Sequence, residues 1–252
     1  MITAYHRPKT LDEALTLLAQ PNRTPLGGGT LLSKSTTDSV EAVDLQAIGL
    51  GTVKKSGNNL EIGATVTLQQ LLESESCPNA MRVALRLEAP LNLRNSATVA
   101  GTIVSCDGRS TFASALLAVD AKFEQTKRSD SNVESRVTNL GDFLPLRDLQ
   151  GWLITSITIP LNTKLAFEYV SRTPADKPIV CAALAQWNSG RARLVLGGYG
   201  KSPLLGMDGT EAEGIESAAR NAFHEATDGY GSAEYRMDVA ATLAKRCLES
   251  IL

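Results

Sequence analysis

The sequence predicts an α+β chain: a mixed α/β body, then a small three-stranded antiparallel sheet with helices at its end. Two observations define the body. Strand-like and helix-like runs flank a small-residue loop at residues 26–30 (LGGGT), and the arrangement returns at 97–120 (ATVAGTIVSCDGRSTFASALLAVD). A third observation ends it. After Pro160 the texture changes to three strand-like runs, LAFEYVSR, IVCAALAQW and RARLVLGGYG, and then to two helical runs, which places a boundary near residue 162.

Each element has a local reason. Thr10 and Glu13 form a capping box, and Leu11, Ala14, Leu15 and Leu18 share one face of the helix that follows, which Pro21 ends. EAVDL at 41–45 reads as a buried strand, and NLEIGAT at 59–65 as a strand alternating Leu60 and Ile62 with polar neighbours. Thr67 and Gln70 cap a second helix through Leu68, Leu71 and Leu72, and a third runs from Pro78 to about Glu88. The second small-residue segment reads as a polar loop leading into a buried helix, FASALLAVD. The polar stretch 126–139 reads as an exposed hairpin or loop, and GWLITSITIP as a strand stopped by Pro160. Beyond the meander, helices are expected at about 211–225 and 232–252, the second with Tyr235, Val239, Leu243 and Cys247 on one face.

Composition narrows the function classes. The 252 residues are 43% hydrophobic and 21% charged with a net charge of -2, which gives no basic footprint for nucleic acid or an anionic membrane. The N-terminus, MITAYHRPKT, lacks a signal-peptide core, and no apolar run approaches the roughly 20 residues that span a bilayer, so a cytoplasmic protein is expected. Cys77, Cys106, Cys181 and Cys247 are far apart with no CxxC pair, and read as free thiols packed as small apolar residues. With two histidines, His6 and His224, no metal site is expected.

The triple glycine raises the sharpest question, because each glycine costs backbone entropy on folding. Two readings stand: a tight turn, or an anion cradle whose successive N–H groups point at phosphate oxygens. LGGGT lacks the full GxGxxG pattern of a nicotinamide-binding domain.

The segments AYHRP, LDEALTLLA, PLGGGTLL, LEIGATVTLQQLL, LNLRNSATVAGTI, ALLAVDA, ITSITIP and SAEYR occur in that order. In this the chain resembles the FAD-binding subunits of the molybdenum hydroxylases, a family that includes xanthine dehydrogenase and the medium subunit of carbon monoxide dehydrogenase. The resemblance implies an FAD-binding fold of the vanillyl-alcohol-oxidase and MurB type in residues 1–162, with subdomains of about 1–55 and 56–162. Residues 163–252 would be the C-terminal domain of the carbon monoxide dehydrogenase flavoprotein type. It further implies FAD as cofactor, an iron–sulfur subunit and a molybdopterin-containing large subunit as partners, and electron flow from the clusters through FAD to an acceptor.

Carried over residue by residue, the resemblance implies that the FAD diphosphate lies between two loops. The first is Leu26, Gly27, Gly28, Gly29, Thr30 and Leu31; the second holds Thr98, Ala100, Gly101 and Thr102. Residues 106–111, with Asp107, Arg109 and Thr111, would border the ribose, and Ile154 would supply an apolar contact. On this reading a branched side chain at Gly28 blocks FAD while leaving the fold intact. The sequence departs from the family pattern where Leu31 replaces an acid, Ala100 a glycine, Thr102 an asparagine and Thr111 an aspartate, and where Glu168 or Tyr169 stands in place of a lysine. Loss of a ribose carboxylate weakens binding about ten- to a hundredfold. A second reading therefore stays open, a scaffold or assembly subunit whose flavin site has decayed.

Overall fold

The computed structural model describes residues 1–33, 39–129, 132–149 and 151–252. Three sheets organise them. The first is a parallel sheet built from β1 (Ile2–His6), β2 (Arg23–Leu26) and β3 (Val40–Asp44) in the order β1-β3-β2, with α1 (Leu11–Leu18) between β1 and β2. Thr10 caps α1 by accepting the Glu13 N–H at 3.2 Å, and Ala14 and Leu15 bury against Val43 and Leu45.

The second sheet is antiparallel. It consists of β4 (Val53–Ser56), β5 (Asn59–Gly63), β6 (Lys122–Ser129), β7 (Asn132–Asn139) and β8 (Leu153–Pro160) in the order β4-β5-β8-β6-β7. Between β5 and β6 run five helices: α2 (Leu68–Glu73), α3 (Asn79–Glu88), α4 (Leu91–Arg94), α5 (Val99–Ser105) and α6 (Thr111–Ala118); the short α7 (Leu140–Phe143) follows β7. The main core joins the inward side chains of β5 and β8 to Leu68, Leu71, Met81, Leu85, Ile103 and the whole of α6. All eight residues of α6 are buried, its two polar ones, Thr111 and Ser114, each donating a hydroxyl hydrogen bond to a backbone carbonyl.

The third sheet, β9 (Thr163–Val170), β10 (Val180–Trp187), β11 (Ala192–Gly197) and β12 (Leu204–Gly209), is an antiparallel meander in the order β12-β11-β10-β9. Both of its faces are covered. Cys181, Ala183, Ala185 and Val195 join the core around α6, while Ala182, Leu184, Leu194 and Leu196 pack against α8 (Ile215–Ala222) and α9 (Ala233–Ile251). Burial on two faces explains why VCAALA reads as a continuous apolar run rather than an alternating one. No described helix is long and apolar enough to cross a membrane.

Several expectations need correction. The C-terminal sheet has four strands, not three: β12 pairs with β11 across a register shift between Leu194 and Val195, and its glycines and proline-led start mask strand chemistry. The first half of the second small-residue segment is not a loop but α5, whose Thr98 cap was hidden because small residues carry no apolar period. β1, β2 and β4 were not anticipated, being short and edge-like, and the helix expected at 211–225 contracts to α8. The hairpin at 126–139 forms as β6 and β7, starting earlier at Lys122, and its tip, residues 130–131, lies outside the described residues.

Candidate functional site

The first glycine loop leaves the carboxyl end of β2, where an open parallel sheet leaves a crevice. The Leu45 N–H donates to the Leu26 carbonyl at 3.0 Å, and Gln46 Nε2 donates to the Gly27 carbonyl at 3.3 Å. The three glycines do different things. Gly29 has φ +72°, the left-handed region that glycine enters without strain. Gly28 is needed for close approach: a Cβ there would lie 1.5 Å from the Ser96 carbonyl oxygen, and one on Gly27 would lie 2.7 Å from Thr98 Oγ1. The loop is therefore seated directly on the turn between α4 and α5, which corrects the expectation that Gly28 serves only phosphate space.

The facing wall starts at the cap of α5. Thr98 Oγ1 accepts the Gly101 N–H at 3.2 Å, the Val99 N–H donates to the Val66 carbonyl at 2.9 Å, and Thr102 Oγ1 turns back to donate to the Thr98 carbonyl at 2.9 Å. Between the walls lies a cavity of about 320 Å³, lined by Leu26, Gly27, Gly28, Gly29, Thr30 and Leu31 on one side and Thr98, Ala100, Gly101 and Val104 on the other. Trp152, Leu153 and Ile154 close it. None of the described lining side chains is ionisable. Among the described residues, the backbone N–H groups of Gly28, Gly29, Thr30 and Leu31 make no hydrogen bond. A second cavity of about 350 Å³ lies across the Gly28 and Thr98 wall, lined by neutral hydrogen-bonding groups including Gln46, Thr65, Gln70, Asn95 and Ser96.

The structure thus brings ten of the expected residues together and sets four elsewhere. Thr102 does not line the cavity. Asp107 accepts the Arg109 N–H at 2.9 Å in a local turn. Arg109 reaches the opposite way, donating from Nη2 to the Lys177 carbonyl at 2.8 Å and from Nε to the Pro178 carbonyl at 3.4 Å. Thr111 is fully buried and donates to the Ala84 carbonyl at 2.7 Å. The cause is Gly108, whose N–H donates to the Gly200 carbonyl while its own carbonyl accepts the Gly198 N–H, so residues 106–111 dock on the C-terminal sheet.

Sequence reasoning missed Trp152, although a signal was available: it is an aromatic residue at the entry to the strand that carries Ile154, and aromatic side chains cover large areas. Lys127 Nζ lies 4.8 Å and the Arg136 guanidinium 4.2 Å from the centroid of its ring.

Comparison with known proteins gives a consistent picture. A family model described as the FAD binding domain in molybdopterin dehydrogenase matches residues 1–162. The uncharacterized protein YgfM of Escherichia coli (strain K12) is 29% identical over 257 residues, covering 96% of this chain and 94% of that one. The carbon monoxide dehydrogenase medium chain of Afipia carboxidovorans is 25% identical over 275 residues, covering 97% and 95%. Among solved structures, reconstituted CO dehydrogenase from Oligotropha carboxidovorans superposes with a TM-score of 0.82 at 25% identity, over 98% of this chain and 96% of that chain.

Proposed function

The chain belongs to the family of FAD-binding domains of molybdopterin dehydrogenases, and from that membership we propose that it is the flavoprotein subunit of a molybdenum hydroxylase complex. The observation that supports the reading best is the uncharged cavity between the glycine loop and α5, bordered by four amides without partners among the described residues. Free amides suit an anionic diphosphate, and the apolar walls suit a flat aromatic ring.

FAD, when bound, supplies the redox chemistry. The chain's own residues hold and shield it. The N–H groups of Gly28, Gly29, Thr30 and Leu31 would donate to the diphosphate, Thr98, Ala100 and Gly101 would form the opposite wall, and Leu26, Val104, Trp152 and Ile154 would exclude water. The neighbouring cavity with Asn95, Ser96 and Gln70 offers neutral partners for sugar hydroxyls. In this reading the complex carries electrons from the iron–sulfur clusters of a partner subunit through FAD to an acceptor, while a molybdopterin-containing large subunit acts on the substrate. Residues 1–162 then form the FAD-binding unit of vanillyl-alcohol-oxidase and MurB type, in subdomains of about 1–55 and 56–162, and residues 163–252 the C-terminal domain.

A second reading, a scaffold subunit with a decayed flavin site, is favoured by the docking of residues 106–111, which leaves Asp107, Arg109 and Thr111 away from the cavity. The absorption spectrum of the purified protein, before and after incubation with excess FAD, separates the two. The flavoprotein reading expects flavin bands and saturable quenching of FAD fluorescence on titration. A colourless protein with no saturable FAD binding would establish the scaffold instead.

A further inference from the structure

Arg109, singled out by the sequence and not used by the flavin cavity, lines a separate cavity of about 320 Å³ with Arg172, Lys177, Asp176, Ile179 and Tyr230. Its guanidinium stacks on the Tyr230 ring at 4.0 Å from the centroid, and two of its nitrogens are pinned by the carbonyls of Lys177 and Pro178. Arg172 stands 5.7 Å from the same ring centroid, and its one described hydrogen bond runs to the Tyr230 carbonyl at 3.5 Å. Neither arginine has a carboxylate partner among the described residues. Lys177 spends one proton on Glu88 Oε1 at 3.1 Å, and Asp176 is the only acid on the wall among the described residues. Two unpaired guanidiniums gathered on one ring repel each other, and a bound anion removes that repulsion. Arg109 is also already ordered, so a ligand loses little side-chain entropy in engaging it.

The geometry points to a binding site for a phosphate group, carried by a small molecule whose organic part lies against Tyr230 and Ile179. Guanidinium forks match phosphate oxygens in pairs, and the volume exceeds what a bare phosphate needs. The site is independent of the flavin cavity, with which it shares no lining residue.

Calorimetric titration of the full chain at low salt with inorganic phosphate, and separately with adenosine monophosphate, tests this without any reference to electron transfer. Saturable binding of both probes is expected, tighter for the monophosphate; equal affinity for the two would overturn the contact of an organic part with Tyr230 and Ile179. Arg172→Gln, which removes one long hydrogen bond and one distant ring contact within the protein, should weaken binding about tenfold. Arg86→Gln, the same charge change on the exposed side of α3, should leave it unchanged. Absence of saturable binding, or equal weakening by the two variants, overturns the site. So does loss of phosphate binding on saturation with FAD, which would make the cavity part of the flavin site; a chain that binds phosphate but no FAD would sink only the flavoprotein reading.

Discussion

Gly28 and Gly29 are neighbours with the same side chain and opposite requirements. At Gly28 any Cβ meets the Ser96 carbonyl at 1.5 Å, so the loop must lift off the α4 to α5 turn. Gly28→Ala should therefore cost about 3 kcal/mol, the upper range of overpacking, and lower FAD affinity at the same time. At Gly29 the demand is a φ of +72°, with only Leu26 Cδ1 near, at 3.4 Å. Asparagine tolerates that region, so Gly29→Asn should cost less than about 1 kcal/mol. Urea unfolding of the two variants measures both, and a reversed order would mean that the glycines serve turn geometry rather than contact between the loops. The glycine run was legible in the sequence as special, but not which glycine faced a neighbour, because Ser96 is brought to Gly28 only by folding.

At the scale of elements, Glu88 ties three together. It sits at the end of α3, and its Oε2 accepts from Ser110 Oγ at 2.8 Å and the Phe112 N–H at 3.0 Å, with Thr111 Oγ1, whose proton goes to the Ala84 carbonyl, 3.3 Å away, all at the start of α6. Oε1 accepts from Lys177, in the connection between β9 and β10. A buried carboxylate at a helix N-terminus satisfies donors that have no partner within the helix. Glu88→Ala strands those donors and should cost about 2–4 kcal/mol. Glu88→Gln keeps one acceptor oxygen but loses the ion pair, and should cost about half as much. Chemical denaturation with an unchanged m-value is the check, and an alanine variant within about 0.5 kcal/mol of the parent would remove Glu88 from this role. The helices α3 and α6 were both legible from capping and apolar pattern. Their joint through Glu88 was not, since a glutamate at a helix end reads as solvated.

Over the whole molecule, the four cysteines report on how completely the two cores close. All four are buried and free; burial pushes the Cys77 and Cys106 thiols up to about 11 and the Cys181 and Cys247 thiols up to about 12. The thiolate is the reactive form, so at pH 8 the native protein should react slowly with a thiol reagent, and all four groups quickly in denaturant. The raised values also set a pH dependence. The folded chain holds these protons after the unfolded chain, with thiols near the usual 8.5, has begun to release them. Stability is therefore undiminished by these groups below about pH 8 and falls as pH rises through 11. Fast labelling of more than one thiol in the native state would show that a core opens.

What the sequence determined by itself is local. Capping boxes, apolar faces and the clustered glycines marked most helices and the longer strands, and two contiguous stretches, residues 26–31 and 98–101, held the two facing loops of the cavity. Tertiary structure decided the rest. Arg109 and Thr111 carry the same local signal as residues of a ligand loop, yet one meets the carbonyls of Lys177 and Pro178 and the other the carbonyl of Ala84. Local pattern sets backbone preference and which face is apolar. It cannot name the partner, because a side chain is turned to a cavity or a core by segments far along the chain, and here the approach of the C-terminal sheet to Gly108 made that choice.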